Sequence, residues 1–205
     1  MYMFRAFSKI FLRELVCVCF AFSCPSAHAQ SSGPHVKPYH GDGIDNVLQY
    51  VPNLANFGLK ACGLQGKSDW REKLTASVVG IGVNAGVTYA LKHTVKRTRP
   101  DGTDDRSFPS GHTSIAFCGA TLLCHEYGHR YPAIAVGGYA IAATVAVDRV
   151  RRNRHHWSDV AAGAAIGIMS AEAGYWTSHW INRRKKKRES ELSLTPTGMY
   201  LVVQF

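Results

Sequence analysis

Long apolar segments alternate with short polar ones along most of this 205-residue chain. The first segment mixes apolar and polar residues at the spacing of one helical face, and the next four are mostly apolar over about 15 to 18 residues. The alternation typical of a β-strand occurs only in the last residues, 199–205. The pattern therefore predicts an all-α protein, a bundle of about five to six helices. The predicted helices cover residues 45–61, 70–91, 112–127, 132–147 and 159–181, with Pro52 as a kink or break in the first.

Glycine and alanine are frequent in these helices and allow close helix packing, in a soluble bundle or in a membrane. The apolar runs are shorter than the ~20 residues that a membrane span normally needs, so their length leaves both alternatives open. The charges favour a membrane. If helices 112–127 and 159–181 run inward, the loops 92–109 and 149–158 lie outside and the basic run 183–188 lies inside, as the positive-inside rule prefers. We therefore expect a membrane-associated bundle.

The N-terminal residues have the features of an export signal. Basic residues come first, an apolar run follows at residues 15–22, and the segment closes on Ala27-His28-Ala29, a small-x-small cleavage pattern. Residues 1–29 are therefore predicted to be a signal peptide cleaved after Ala29, with an uncleaved N-terminal anchor as the alternative. Residues 30–43 are polar and rich in Gly, Pro and His, which is typical of a flexible lead-in.

The net charge of +10 at first suggests a nucleic-acid partner. Much of the excess lies in one run, residues 183–188, which opens a C-terminal tail at residues 183–205. An exported protein has little reason to meet nucleic acid, so anionic lipid is the expected partner of this run and nucleic acid is not.

Candidate chemistry lies in three charged segments at the ends of predicted helices. They are Lys92–Pro100, Phe108–His112 and Arg149–Asp159. In the third, His155 and Asp159 are four residues apart and share a face if the next helix begins slightly early. A carboxylate that accepts from one ring nitrogen leaves the other nitrogen basic, as a histidine nucleophile requires. The surrounding arginines suit a phosphate rather than a metal cation. Taken alone, this third segment is also compatible with a simple basic loop before a helix.

In order and without a gap, the three segments read K-x6-RP, PSGH and R-x5-H-x3-D. This combination resembles the type 2 phosphatidic acid phosphatase (PAP2) superfamily, which includes bacterial acid phosphatases and vanadium haloperoxidases. The resemblance covers roughly residues 45–180, so we expect a PAP2-like domain at residues 44–182. The opening, residues 45–52, is similar to a bacterial branch of the superfamily.

The resemblance implies a role for each matching residue. His155 would attack phosphorus to form a phosphohistidine, Asp159 would orient His155, and His112 would protonate the leaving oxygen. Fixed cations and helix-start N–H groups stabilise charge on the transferring phosphoryl group, so no metal or other cofactor is needed. The residues implied to bind the phosphate are Lys92, Arg99, Ser110, Gly111 and Arg149.

Two positions in the third segment need interpretation. His156 adjoins His155, but only His155 has the three-residue gap to Asp159 that the superfamily pattern requires. Asp148 stands where the superfamily commonly has Ser, and a carboxylate there is expected to pair with Arg149 and alter the charge of the pocket. The other basic residues of these segments are predicted to be solvated loop charges, with contact to a lipid headgroup as the alternative for some of them: Lys96, Arg97, Arg151, Arg152 and Arg154.

The sequence thus predicts a phosphatase that hydrolyses a phosphomonoester of a lipid, with phosphatidate, phosphatidylglycerophosphate, undecaprenyl pyrophosphate and lipid A phosphates as candidates. It would lie in the inner membrane with its active site facing the periplasm. The alternative is a soluble periplasmic acid phosphatase acting on small phosphomonoesters. A vanadium haloperoxidase and a non-catalytic anion- or lipid-binding protein rank below these, the last because every predicted catalytic position is filled.

Overall fold

The computed structural model describes residues 43–192, with side chains described for residues 43–185. The predicted signal peptide, most of the lead-in and the apolar residues 199–205 lie outside the described residues. The described part is all-helical, which confirms the predicted fold class. Its six helices are α1 (Asp45–Leu48), α2 (Val51–Ala61), α3 (Trp70–Thr94), α4 (Gly111–Tyr127), α5 (Pro132–Arg151) and α6 (Trp157–Leu192).

Each predicted helix is present, but several boundaries differ. The first predicted helix is divided into α1 and α2, and Pro52 lies in the first turn of α2, where a missing N–H group costs little. Helix α5 continues to Arg151, and α6 begins at Trp157 and runs through the basic residues to Leu192. These extensions are polar, so the spacing of apolar residues did not predict them. They are helical all the same, because the backbone hydrogen bonds of a helix need no apolar side chain.

Helix α4 is the centre of the bundle and contacts α2, α3, α5 and α6. The contacts are made largely by small side chains. One buried cluster joins α3, α4 and α6, and a second joins α4 and α5. The members of the first cluster are Ala76, Cys118, Leu122, Ala171 and Tyr175.

Glycines on α6 let its backbone touch those of α3 and α4. A Cβ atom at Gly167 would lie 2.3 Å from the carbonyl oxygen of Ser114 on α4, and one at Gly174 would lie 2.2 Å from that of Ala76 on α3. At Gly163 the corresponding contact, with the carbonyl oxygen of Ser110, would be 2.5 Å. No side chain fits in these gaps, so the glycines set the close spacing of the three helices and bring the start of α6 against the start of α4.

The outer surface of the bundle is strongly apolar. Helices α3 and α5 are long and apolar enough to cross a membrane. In the most apolar 18-residue stretch of each helix, only 22% (α3) and 28% (α5) is buried within the bundle. On α6, exposed Trp157 and Trp180 are separated by about 34 Å of helix at 1.5 Å per residue, close to the ~30 Å thickness of a bilayer core. Tryptophans spaced by about the thickness of a bilayer core suit the two membrane–water interfaces.

A buried polar cluster closes the end of the bundle where α3 begins and α4 ends. The side chains of Lys73 and Glu126 are fully buried with 3.9 Å between Nζ and Oε2, and Lys73 Nζ lies 3.1 Å from the hydroxyl oxygen of Tyr127. The hydroxyl of Tyr175 donates to Glu126 Oε1 at 2.6 Å, and the backbone N–H of Ser68 donates to Oε2. The cluster therefore joins α3, α4 and α6 to the loop before α3.

Candidate active site

The three charged segments meet at the opposite end of the bundle. This end holds the last turns of α3 and α5, the first turns of α4 and α6, and the loop that joins α3 to α4. The loop folds back on itself, because the N–H of Arg97 donates to the carbonyl of Asp105 at 2.8 Å and the N–H of Ser107 donates to the carbonyl of Arg97 at 2.9 Å. This fold brings Ser107 to the start of α6, beside His155.

His155 is buried with one ring nitrogen engaged by the backbone. Its Nδ1 lies 2.7 Å from the carbonyl oxygen of Ser107, so Nδ1 carries the proton and donates it. The distance from Nδ1 to Asp159 Oδ2 is 3.8 Å, which is too long for a hydrogen bond. With Nδ1 protonated, Nε2 of the neutral ring holds a lone pair, as a nucleophile requires. The acceptor that orients His155 is thus a backbone carbonyl, with Asp159 beside it.

Asp159 is fully buried and is held by donors from two segments. Its carboxylate accepts from Arg97 Nη1 at 2.7 Å, from the backbone N–H of His156 at 2.9 Å and from the Ser107 hydroxyl. Burial raises the pKa of Asp159, but the nearby His155 and these donors outweigh it and lower the pKa to about 2. Asp159 is therefore a carboxylate at neutral pH and favours positive charge on His155.

Arg97 and Ser107 belong to this site, although sequence analysis did not assign them to it. Arg97 was predicted to be a solvated loop charge, and this is wrong, because its Nη1 donates to both Asp159 and the hydroxyl of Ser158 at 2.7 Å. Ser107 is fully buried and uses its carbonyl for His155 and its hydroxyl for Asp159. Both contacts depend on the loop folding back, which no local pattern in the sequence indicates.

The three predicted phosphate-binding cations surround the same space, and each donates to at least one oxygen; Arg99 also donates from Nη1 to the carbonyl of Arg154 at 3.3 Å. Lys92 Nζ donates to the carbonyl of Arg106 at 3.0 Å, and Arg99 Nε donates to the Asp104 carboxylate at 2.7 Å. Arg149 Nη1 donates to Asp45 Oδ2 at 2.6 Å. Within the described part of the chain the buried Nε of Arg149 has no hydrogen-bond partner. An unsatisfied buried donor on a guanidinium is a ready contact for an anion.

Asp148 does not pair with Arg149 as its position suggested. Because α5 extends to Arg151, Asp148 lies one helical turn before Arg152, with 3.8 Å between Oδ2 and Nη1. Arg149 pairs instead with Asp45, a residue from α1 that sequence analysis did not single out.

Two further arginines predicted to be solvated are also paired with buried carboxylates. Arg152 Nη1 donates to Asp45 Oδ1 at 2.6 Å, and Arg154 Nη1 donates to Asp101 Oδ2 at 2.9 Å. Lys96 is exposed and pairs with an exposed carboxylate, that of Asp105, in keeping with its prediction. The charged rim of the site is thus an ordered set of ion pairs.

Helix α4 contributes His112, Ser110 and Gly111 at its start. Ser110 is the fully buried N-cap residue, and its N–H donates to the carbonyl of Asp159 at 3.0 Å. The first N–H groups of a helix lack partners within the helix and favour an anion. A Cβ atom at Gly111 would lie 3.7 Å from Lys92 Cε, so the helix start and Lys92 are neighbours.

Both histidines of the site are neutral at pH 7. Burial lowers the pKa of His112 to about 4, and the positive charge of Arg149 contributes to the shift. Burial also lowers the pKa of His155, and although Asp159 raises it, Arg149 lowers it further. A neutral His155 suits a nucleophile, whereas His112 must gain a proton before it can donate one.

The profile of the PAP2 superfamily matches residues 73–185. The chain belongs to the PAP2 superfamily. The matched range contains all eight predicted site residues, from Lys92 to Asp159, whereas Asp45 lies before it. Asp45, which contacts Arg149, therefore lies outside the range that matches the superfamily.

Named relatives of this PAP2 chain are lipid phosphatases. The chain is 44% identical over 141 residues to a lipid A 1-phosphatase of Porphyromonas gingivalis, an alignment that covers 68% of this chain and 32% of that protein. It is 35% identical over 128 residues to a probable lipid phosphate phosphatase 4 of Arabidopsis thaliana, covering 51% of this chain and 41% of that protein. The chain therefore spans less than half the length of these two relatives.

The fold is shared with a solved structure, that of Aquifex aeolicus LpxE. The similarity has a TM-score of 0.51 at 23% sequence identity and covers 64% of this chain and 82% of that one. At this identity the similarity shows that the helical PAP2 fold is common to both chains.

Proposed function

We propose that this protein is a metal-independent phosphatase that removes phosphate from a lipid phosphomonoester through a phosphohistidine on His155. The observation that carries the proposal is the state of His155, which is buried, protonated at Nδ1 by its bond to the Ser107 carbonyl, and adjacent to the cation of Arg149. A basic nitrogen among fixed cations suits attack on a phosphoryl group and disfavours a metal cation.

In the first step Nε2 of His155 attacks phosphorus, the P–N bond forms, and the ester P–O bond breaks. His112 gives a proton to the leaving oxygen, which departs as an alcohol. In the second step water attacks phosphorus, His112 accepts a proton from that water, and the P–N bond breaks to release inorganic phosphate and neutral His155. The Asp159 carboxylate stabilises the positive charge that His155 carries in the intermediate.

The cations and the helix start would stabilise the transferring group. Charge spreads over the three equatorial oxygens of a phosphoryl group in transfer, so catalysis depends on donors already in place. Arg149 offers its unpaired Nε, Lys92 and Arg99 supply positive charge, and the N–H groups at the start of α4 complete the set.

A lipid is the substrate class that the rest of the molecule supports. The apolar outer surfaces of α3 and α5 and the tryptophans of α6 suit a bilayer, which brings a lipid headgroup to the level of the site. Of the candidate lipids, the 44% identical relative favours a lipid A 1-phosphate over phosphatidate, phosphatidylglycerophosphate and undecaprenyl pyrophosphate. We place the site on the periplasmic face, with the basic residues after Ile181 on the cytoplasmic side.

Phosphate release by separated membrane and soluble fractions tests this proposal. We expect activity in the membrane fraction, on lipid A 1-phosphate more than on the other lipid phosphates, and little activity on p-nitrophenyl phosphate. Soluble activity on both kinds of substrate would instead establish a periplasmic acid phosphatase. Halide oxidation that depends on added vanadate would establish a haloperoxidase.

Activity is expected to fall as the pH rises above about 6. Because the low pKa of His112 keeps its ring neutral near pH 7, the proton for the leaving oxygen enters with the substrate, whose phosphate has a second pKa near 6. Above that value log(kcat/KM) should decline with a slope near −1. On the acid side activity should persist below pH 6.5, since the pKa of His155 lies below that usual value. A pH profile of kcat/KM that rises through pH 8 would contradict this mechanism.

A further inference from the structure

The short helix α1 reaches the site from outside the range that matches the superfamily. Two consecutive side chains on it contact two predicted functional residues. Asp45 Oδ2 accepts from Arg149 Nη1 at 2.6 Å, and Asn46 Oδ1 lies 2.9 Å from His112 Nε2. These contacts link segments 104 and 66 residues apart in the chain.

We propose that α1 is a part of the active site in which Asp45 positions Arg149 and Asn46 positions His112. The proposal rests on the proposed function, because it assigns supporting roles for that same reaction. Neither residue needs to touch the substrate. Each acts through a side chain that does, so both are positioning residues.

Asp45 is suited to hold Arg149 because it is fully buried and takes a guanidinium on each oxygen. Arg149 occupies Oδ2 and Arg152 occupies Oδ1, both at 2.6 Å. A guanidinium bound through Nη1 is fixed in rotation, and its Nε–H, which has no partner in the described part of the chain, is then available to a phosphate oxygen. The short bonds lower the pKa of Asp45 although burial raises it, so the carboxylate stays charged.

Asn46 is suited to His112 because an amide oxygen only accepts hydrogen bonds. Its Oδ1 therefore selects the ring tautomer with a proton on Nε2, and it also stabilises the protonated ring. The proton that His112 donates to a leaving oxygen then resides on Nδ1. By accepting from Nε2, Asn46 sets both the orientation of the ring and the atom that donates.

The charges that face His112 come from every element around it. Arg149 on α5 and Lys92 on α3 disfavour the protonated ring, as His155 before α6 does when it is charged, and Asp45 on α1 favours it. Helix α1 thus supplies both the carboxylate and the amide oxygen that oppose the surrounding cations. Without them, the surrounding cations would disfavour protonated His112 more strongly.

Orthovanadate binding by the full chain in detergent tests the role of Asp45 without turnover. If Asp45 positions Arg149, Asp45→Ala and Asp45→Asn should bind vanadate roughly 10- to 100-fold more weakly than wild type, since misplaced groups lose most of their contribution. If Asp45 only neutralises Arg149, removing its charge should tighten binding. A folded Asp45→Asn variant that binds vanadate as tightly as wild type, or more tightly, overturns the proposal.

Asp148→Asn is the matched control. It removes the same charge from the same ion-pair cluster, but Asp148 contacts Arg152 and not Arg149. Its vanadate affinity should equal that of wild type. An equal loss of affinity in Asp148→Asn would mean that the cluster charge matters and the position of Arg149 does not. Asp45→Asn keeps the size of the buried side chain, so it decides the question if Asp45→Ala does not fold.

Histidine NMR with ¹³C-labelled protein tests the role of Asn46, with His112→Gln to assign the signal. Asn46→Leu should lower the pKa of His112 and Asn46→Asp should raise it, while the signal of His155 is unchanged. With lipid substrate, Asn46→Leu should lower kcat with little change in KM. Val47→Ala alters an exposed neighbour on α1 and should change neither quantity. An unchanged His112 titration in both Asn46 variants overturns this part of the proposal.

These readouts separate the two proposals. If wild-type protein binds vanadate and shows the expected shifts but hydrolyses no lipid phosphate, the proposed function fails and the positioning roles stand. If lipid phosphate is hydrolysed but the α1 substitutions change neither the vanadate affinity nor the His112 titration, the proposed function stands and α1 has no part in the site.

Discussion

Replacement of His155 by glutamine is expected to lower kcat on a lipid phosphate by roughly 10⁴-fold or more. Glutamine retains a polar side chain of similar length but has no basic nitrogen to attack phosphorus, so no covalent intermediate forms. Wild-type enzyme, mixed rapidly with radiolabelled substrate and quenched in alkali, should carry phosphate on His155. Phosphate on a ring nitrogen survives alkali and is lost in acid, which distinguishes it from a phosphoester.

The neighbouring histidine provides the matched control. His156 Nε2 contacts the carbonyl oxygen of Thr98 at 3.2 Å, away from the Ser107 carbonyl that orients His155. The variant His156→Gln should therefore keep its activity within a few-fold and should still label with phosphate. Loss of labelling in His156→Gln together with full labelling in His155→Gln would reverse the assignment of the nucleophile.

The largest effect on stability is expected at the other end of the bundle, in Glu126→Ala. This change leaves the ammonium of Lys73 buried without a counter-charge and removes the acceptor for the Tyr175 hydroxyl. Breaking a buried ion pair from one side costs about 3 to 5 kcal/mol. Denaturant unfolding of the detergent-solubilised protein should show a loss of this size, with the wild-type fold retained at low denaturant.

A double variant identifies the cause of that loss. Lys73→Met combined with Glu126→Leu removes both charges and should be more stable than either single variant, because neither charge is then left uncompensated. Replacing His179, which is largely exposed and pairs with Glu72 at 3.1 Å, should cost less than about 1 kcal/mol. Additive losses in the double variant would show that Lys73 and Glu126 act independently.

Local patterns in the sequence were sufficient to find the helices and the family. The apolar segments predicted α3 to α6 to within a few residues at most ends, and the three charged segments led to the PAP2 superfamily that the profile match shows. The charge pattern also placed the loops 92–109 and 149–158 on the same side of the bundle. The first two of these inferences use spacings of a few residues, and side chains at such spacings are related by helix geometry alone.

The partners of the charged side chains were decided by the tertiary structure. Arg97 and Arg152 were predicted from the sequence to be solvated charges. Instead Arg97 binds the fully buried carboxylate of Asp159, and Arg152 binds that of Asp45. Asp148 is adjacent to Arg149 in the chain, but helical geometry turns it towards Arg152. Which carboxylate meets which guanidinium depends on how distant segments pack.

The orientation of His155 shows the same contrast between sequence and tertiary structure. The four-residue spacing of His155 and Asp159 predicted a direct contact, and the two side chains are indeed neighbours. The atom that accepts from His155 is nevertheless the carbonyl of Ser107, 48 residues earlier in the chain. The sequence by itself identified the eight predicted site residues that gather at this end of the bundle, but not Asp45, Arg97 or Ser107. Only the folded loop and the packing of α1 determined their hydrogen bonds, because each bond joins segments whose separation along the chain carries no information about their distance in space.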